Sequence, residues 1–209
     1  MPCDLSAEPA KAIELCRASH VRLGASARRM TDARVRSPSR LPGWTIGHVL
    51  THIARNADGH VRRLEGALRG EDVARYPGGL AQRQREIADG SGRAAAEIVA
   101  DLVATQHRLE DVWGRSEAAG WPHAELRADD RWPTTASPVR RLREVEVHHV
   151  DLGVGYEPSD WPEDYVAWEM PELLATVPGR LQERDVAREL VAWLAGRGSI
   201  PATIELDPW

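Results

Sequence analysis

Apolar side chains recur at alternating steps of three and four residues along most of this 209-residue chain. That period restricts it to packed amphipathic helices. Ile13, Cys16, His20, Leu23, Ala27 and Met30 make one stripe, with its start near residues 6–9. A second stripe runs through Val49, Ile53, Ala57, Val61, Leu64 and Leu68. Thr45 opens it as an N-cap after a Pro- and Ser-rich loop at 36–43, and Gly70 and Tyr76-Pro-Gly-Gly79 close it. A third helical stretch covers about 80–113 through Ile87, Ile98, Leu102, Leu109 and Trp113, with Asp89-Gly-Ser-Gly92 as a point of interruption. A fourth begins at Ser137-Pro138, a serine cap with proline at the first helical position, and stops at Gly153-Val-Gly155. Four such segments bury their stripes against one another as an up-and-down bundle.

A polar, tryptophan-rich connection at 120–135 is expected to be irregular with a short extended piece. Beyond Tyr156 the pattern changes. Pro158-Ser-Asp-Trp-Pro162 is a turn-rich boundary, followed by expected helices over 163–176 and 183–195 and an extended tail over 202–206. This piece is too short to hold a core of its own. The expected organisation is a bundle over 1–156 and a C-terminal extension over 157–209 packed onto it.

A formal net charge of −5 argues against a nucleic-acid footprint. The first residues lack the basic and apolar regions of a signal peptide, and no apolar run reaches membrane-spanning length, so a cytoplasmic protein is expected. Cys3 and Cys16 form no metal knuckle or disulfide framework, and neither sits beside a group that would activate it. No nucleophile elbow, phosphate loop or dinucleotide fingerprint is present.

Chemistry concentrates in two pairs at helical spacing. Glu144 and His148 lie four residues apart and share a helix face, as do His48 and His52. His52, Glu144 and His148 on facing helices would make a three-ligand site for a divalent metal with one open position. Imidazole plus carboxylate suits zinc, iron, nickel or manganese. His148 lies in a run of valines, where a buried imidazole without a partner would be costly and a metal would satisfy it. The bland alternative pairs Glu144 with Arg140 or Arg141. His48 is open as fourth ligand, outer neighbour or packed residue. His20 reads as a hydrogen-bonded core histidine, and Glu146 and His149 as structural or surface groups.

The motifs Leu41-Pro-Gly-Trp-Thr-Ile-Gly-His-Val-Leu-Thr-His-Ile-Ala-Arg-Asn56 and Arg141-Leu-Arg-Glu-Val-Glu-Val-His-His-Val-Asp-Leu-Gly153 closely resemble the mycothiol-dependent maleylpyruvate isomerase family, over about residues 5–156. The resemblance implies a mainly α fold, a DinB-like up-and-down four-helix bundle, here with a short α/β C-terminal extension. It implies His52, Glu144 and His148 as metal ligands, usually of zinc, with mycothiol as the second cofactor. It also implies Tyr76, Arg83 and Asn56 as thiol-binding residues. Arg83, and Arg197 from the segment Ala192-Trp-Leu-Ala-Gly-Arg197, are implied as catalytic. Family members with a full C-terminal domain carry more strands between the Asp-Trp-Pro segment and that last motif, so the extension reads as shortened.

Mycothiol is an actinobacterial thiol. A chain with a single lysine, Lys11, against 27 basic residues in all has the composition of a GC-rich host. The implied partners are a small-molecule thiol and a small electrophile, with no nucleic acid or membrane, and a monomer or homodimer. Three readings stay open from the sequence. The metal-activated thiol either isomerises maleylpyruvate to fumarylpyruvate, or is transferred to another electrophile in detoxification or secondary metabolism, or the bundle binds metal without catalysis.

Overall fold

A computed structural model describes residues 4–122, 132–181, 184–197 and 199. Its helices are α1 (Pro9–Ala27), α2 (Asp32–Val35), α3 (Ile46–Leu68), α4 (Gly79–Ser91), α5 (Ala95–Ala118), α6 (Ser137–Asp151), α7 (Glu163–Arg180) and α8 (Arg184–Leu194). The four long stripes of the sequence become α1, α3, α5 and α6. Each packs on two others, α1 on α5 and α6 and α3 on the same two, which closes a four-helix ring. No helix among the described residues is long and apolar enough to cross a membrane.

Two apolar clusters fill the ring. One holds Ile13, Cys16, Leu64, Leu109, Trp113 and Leu142; the other holds Leu23, Ile46, Leu50, Ile53, Leu102 and Val145. Between them each helix contributes a buried polar side chain: His20 from α1, Asn56 from α3, Gln106 from α5 and Arg141 from α6. Arg141, fully buried, donates from Nη1 to the Ile53 carbonyl at 2.7 Å and to Asn56 Oδ1 at 2.8 Å, and from Nε to His20 Nε2 at 3.2 Å. His20 is thus the hydrogen-bonded core histidine that its stripe position predicts.

The start of α3 is built as the sequence indicates. Thr45 accepts from the His48 backbone N–H at 3.3 Å, and the His48 side chain accepts from the Thr45 N–H at 3.3 Å. This reciprocal pair satisfies two amides that a helix start leaves open. Gly47 then lets α3 approach its neighbours, since a Cβ there would lie 2.5 Å from the Ser91 carbonyl oxygen. Gly90 does the same for α4, where a Cβ would meet Thr51 at 2.6 Å. The expected long third helix is in fact two, α4 and α5, broken after Ser91 at the glycine-rich point.

Ser137 departs from its expected role. It lies inside the first turn of α6, after a 3-10 turn Thr134–Ala136, and caps nothing. Its hydroxyl accepts from Trp113 Nε1 at 3.0 Å and meets His60 Nδ1 at 2.9 Å. A fully buried tryptophan N–H needs an acceptor, and this one lies where the helix begins.

The C-terminal segment is anchored on the bundle by α7. Tyr165 and Trp168 enter the first apolar cluster, and Arg143 Nε donates to Glu169 Oε2 at 2.8 Å. The described part of this segment carries the helices α7 and α8, and α7 runs beyond its expected end at 176. The extended tail expected over 202–206, and the middle of the 120–135 connection, lie outside the described residues.

Candidate metal centre

His52 projects from the second turn of α3, and Glu144 and His148 project from one face of α6. Packing of α3 on α6 brings them to one point. His52 Nε2 lies 3.0 Å from His148 Nε2 and 3.1 Å from Glu144 Oε2, and His148 Nε2 lies 3.6 Å from the same carboxylate oxygen. A tetrahedral zinc with ligand bonds of about 2.0–2.1 Å separates its donors by about 3.3–3.4 Å. Two imidazole nitrogens and a carboxylate at these spacings could therefore hold such an ion, and among the described residues they are the one His/Cys/Asp/Glu group so arranged.

The surroundings orient the donors. His148 Nδ1 donates to Asp151 Oδ2 at 2.7 Å, which turns Nε2 toward the other two groups. The ring planes of His52 and His148 stand nearly perpendicular, at 87°, and the Trp44 ring packs on His52 in an edge contact. Burial opposes charge on both His52 and Glu144. For His52 burial prevails and its pKa is lowered, against the pull of the Glu144 hydrogen bond. For Glu144 burial is outweighed by the His52 hydrogen bond and by the charges of His52, His148 and Arg141, which hold the carboxyl well below the usual range.

His148 is less enclosed than its valine neighbours suggest. Its side chain is 19% exposed and its second nitrogen is satisfied by Asp151, so the expected burial cost is not what places it. Glu144 meets His52 and His148, while Arg141 is spent on Ile53, Asn56 and His20. His48 spends Nδ1 on Thr45 and Nε2 on Ser91, at 3.2 Å, so it is a packed neighbour rather than a fourth donor. Glu146 and His149 turn away. Glu146 is bonded by Ser19, Arg22 and Tyr156, and His149 pairs with Ser26 Oγ at 2.9 Å and stacks on Tyr156.

A cavity of about 530 Å³ opens beside the triad, lined by His52, Asn56, Arg75, Tyr76, Gly79, Leu80, Arg83 and Glu144. Tyr76, Arg83 and Asn56, all expected at the site, are on its wall. Burial raises the Tyr76 phenol, so it is a neutral donor near pH 7. Arg83 reaches His52 Nδ1 at 2.9 Å. Glu86, on the same helix, accepts from Gln82 Nε2 at 2.7 Å. Arg197 is exposed beyond the end of α8, bonded to the carbonyls of Ala195 and Gly196, and is not among the lining residues. Two contributors escape sequence reasoning. Asp151 had a usable signal, a carboxylate three residues after His148; Arg75, which lies 5.8 Å from the Trp132 ring centroid, had none. Cys16 is buried and its thiol pushed up by that burial, so it supplies no nucleophile.

Residues 16–153 match the family described as the mycothiol maleylpyruvate isomerase N-terminal domain. Among solved structures, the crystal structure of the mycothiol-dependent maleylpyruvate isomerase is similar at 27% identity and a TM-score of 0.74, covering 79% of this chain and 69% of that one. A histidine-to-alanine mutant of that isomerase is similar at 26% identity and a TM-score of 0.73, with the same coverage of 79% and 69%. No curated protein matches the sequence.

Proposed function

Because the chain belongs to the mycothiol maleylpyruvate isomerase N-terminal domain family, we propose that it is a mycothiol-dependent metalloenzyme that converts maleylpyruvate, or a close analogue, from cis to trans. The observation that carries this reading is the meeting of His52, Glu144 and His148 at one point, two of them on the wall of a cavity that also presents arginines. His52, Glu144 and His148 would hold the metal, and zinc suits two imidazoles and one carboxylate with a position left open. When bound, it supplies Lewis acidity that makes thiolate available from a thiol near neutrality.

The remaining work falls to the chain and to the thiol. Mycothiol, when bound, would supply a sulfur that adds reversibly to the electron-poor carbon–carbon double bond, with the displaced pair held on the conjugated carbonyl and returned as the sulfur departs, so that the thiol would be recovered and no atom gained or lost. Arg75 and Arg83 would hold the substrate carboxylates, for which a guanidinium fork is suited. Tyr76 and Asn56 would donate hydrogen bonds to the polar groups of the thiol. Arg141 accounts for the aim of Asn56: it occupies the amide oxygen, which leaves the amide nitrogen for the cavity. We further propose that residues 1–156 are the metal-binding unit and 157–209 an extension seated on it. The entry of Tyr165 and Trp168 into the bundle core supports that division.

The test is to combine the zinc-loaded protein with mycothiol and maleylpyruvate and to follow both product and free thiol. Fumarylpyruvate with full recovery of thiol is expected. Lasting loss of thiol to the electrophile, without the trans product, would replace isomerisation by S-transfer.

A further inference from the structure

Arg75 and Tyr76 reach the cavity wall from the segment between α3 and α4, and α3 provides the seat for both. Gly59 and Gly66 lie seven residues apart, two turns along one face of α3. A Cβ at Gly66 would stand 2.6 Å from Val73 Cγ2, and one at Gly59 would stand 3.2 Å from Arg75 Cβ. The two glycines therefore let this segment lie directly against the helix. Arg62, from the same helix, donates through Nη1 to the Arg75 carbonyl. The backbone of Arg75 is thus fixed, and its long side chain needs a hold of its own.

Trp132 supplies one. Its ring centroid lies 5.8 Å from Arg75 Cζ, within the range at which a guanidinium is drawn to an indole. The indole is itself held by α3. His60 stacks on it with ring centroids 5.2 Å apart and planes at 28°. Arg63 Cζ lies 4.2 Å from the indole centroid, and Arg63 Nη2 donates to the Trp132 carbonyl at 2.7 Å. Trp132 is not among the residues that line the cavity, so it acts on a bound molecule through Arg75.

We propose that Trp132 is a positioning residue for the substrate: its ring holds the Arg75 guanidinium where that group receives one carboxylate of a small dicarboxylate, while Arg83 receives the other. This rests on the substrate reading above. Arg75 and Arg83 are the two arginines on the cavity wall among the described residues. Without the ring, the Arg75 side chain samples more rotamers, and binding has to order it again. The loss expected from removing such a contact is roughly three- to tenfold in affinity.

The test is calorimetric titration of the zinc-loaded protein with maleylpyruvate in the absence of mycothiol, so that binding is read without turnover. Trp132→Leu should weaken binding roughly three- to tenfold, and Trp132→Phe, which keeps an aromatic face, should stay within about twofold of wild type. Arg75→Gln should weaken binding as well. Adding Trp132→Leu to Arg75→Gln should cost nothing more, because no guanidinium remains to be held. Zinc affinity should keep its wild-type value throughout. Trp132→Met, which keeps bulk without a π face, takes the place of the leucine variant if that one fails to fold. Full affinity in Trp132→Leu, an equal loss in Trp132→Phe, or the same loss with and without Arg75 overturns the positioning role and leaves the dicarboxylate reading intact. A wild type that binds zinc but not maleylpyruvate removes the substrate reading and this inference together.

Discussion

Asp151 Oδ2 accepts from His148 Nδ1 at 2.7 Å, three residues along α6, and so decides which nitrogen of His148 faces His52. Outer carboxylates of this kind hold a metal-ligating ring in its tautomer and raise its basicity. Asp151→Asn is therefore expected to weaken zinc binding by about 10- to 100-fold. Competition titration of purified protein checks it, and unchanged affinity would make Asp151 a mere helix-end pair.

His52→Ala and His148→Ala should each abolish zinc binding while helical circular dichroism stays near wild type. The polar partners of His52 are the site residues Glu144, His148 and Arg83, and His148 lies partly open to solvent. Unfolding of both variants would mean that the triad is structural.

Ser137→Ala is expected to cost about 1–3 kcal/mol, because it leaves the buried Trp113 N–H without an acceptor. Chemical denaturation measures the loss. Trp113 fluorescence should change alongside it, which loss of a helix cap would not produce.

Gly47→Ala should destabilise the protein by roughly 1–3 kcal/mol, the usual cost of overpacking, since the new methyl collides with the Ser91 carbonyl. Because the displaced corner joins α4 to α5, zinc affinity and the Arg83 contact should shift with it. A thermal melt and a zinc titration on the same sample give both readouts.

Acidification should unfold the protein in part through His20. Burial lowers its pKa to about 4, with the Arg141 charge acting the same way and the Glu110 hydrogen bond opposing. The unfolded chain takes up a proton near pH 6.5 while the native ring waits until about 4. Stability is full above that upper value and is lost as pH falls across the interval, by up to about 3 kcal/mol. His20→Gln should flatten the slope of stability against pH over this interval. An unchanged slope would assign acid lability to other groups.

Much of the molecule is legible in the sequence, because helix period and helix ends are local. The four stripes, the Thr45 cap and the glycine break after Ser91 follow from spacing within a few residues. So does the sharing of one helix face by Glu144 and His148. Ser137 shows where such reasoning stops: Ser-Pro is a good helix start, yet a tryptophan 24 residues upstream takes the hydroxyl.

Local spacing settles which residues share a helix face and which residue types could hold a metal. Helix packing is what sets His52 against His148 across 96 residues, ties α6 to α1 and α3 through Arg141, and lays Arg83 on a ligand ring. Helical periodicity is set by backbone hydrogen bonds four residues apart. The direction in which a donor, a lone pair or a guanidinium is spent depends on which helix packs beside it, and that is settled by burying every stripe at once.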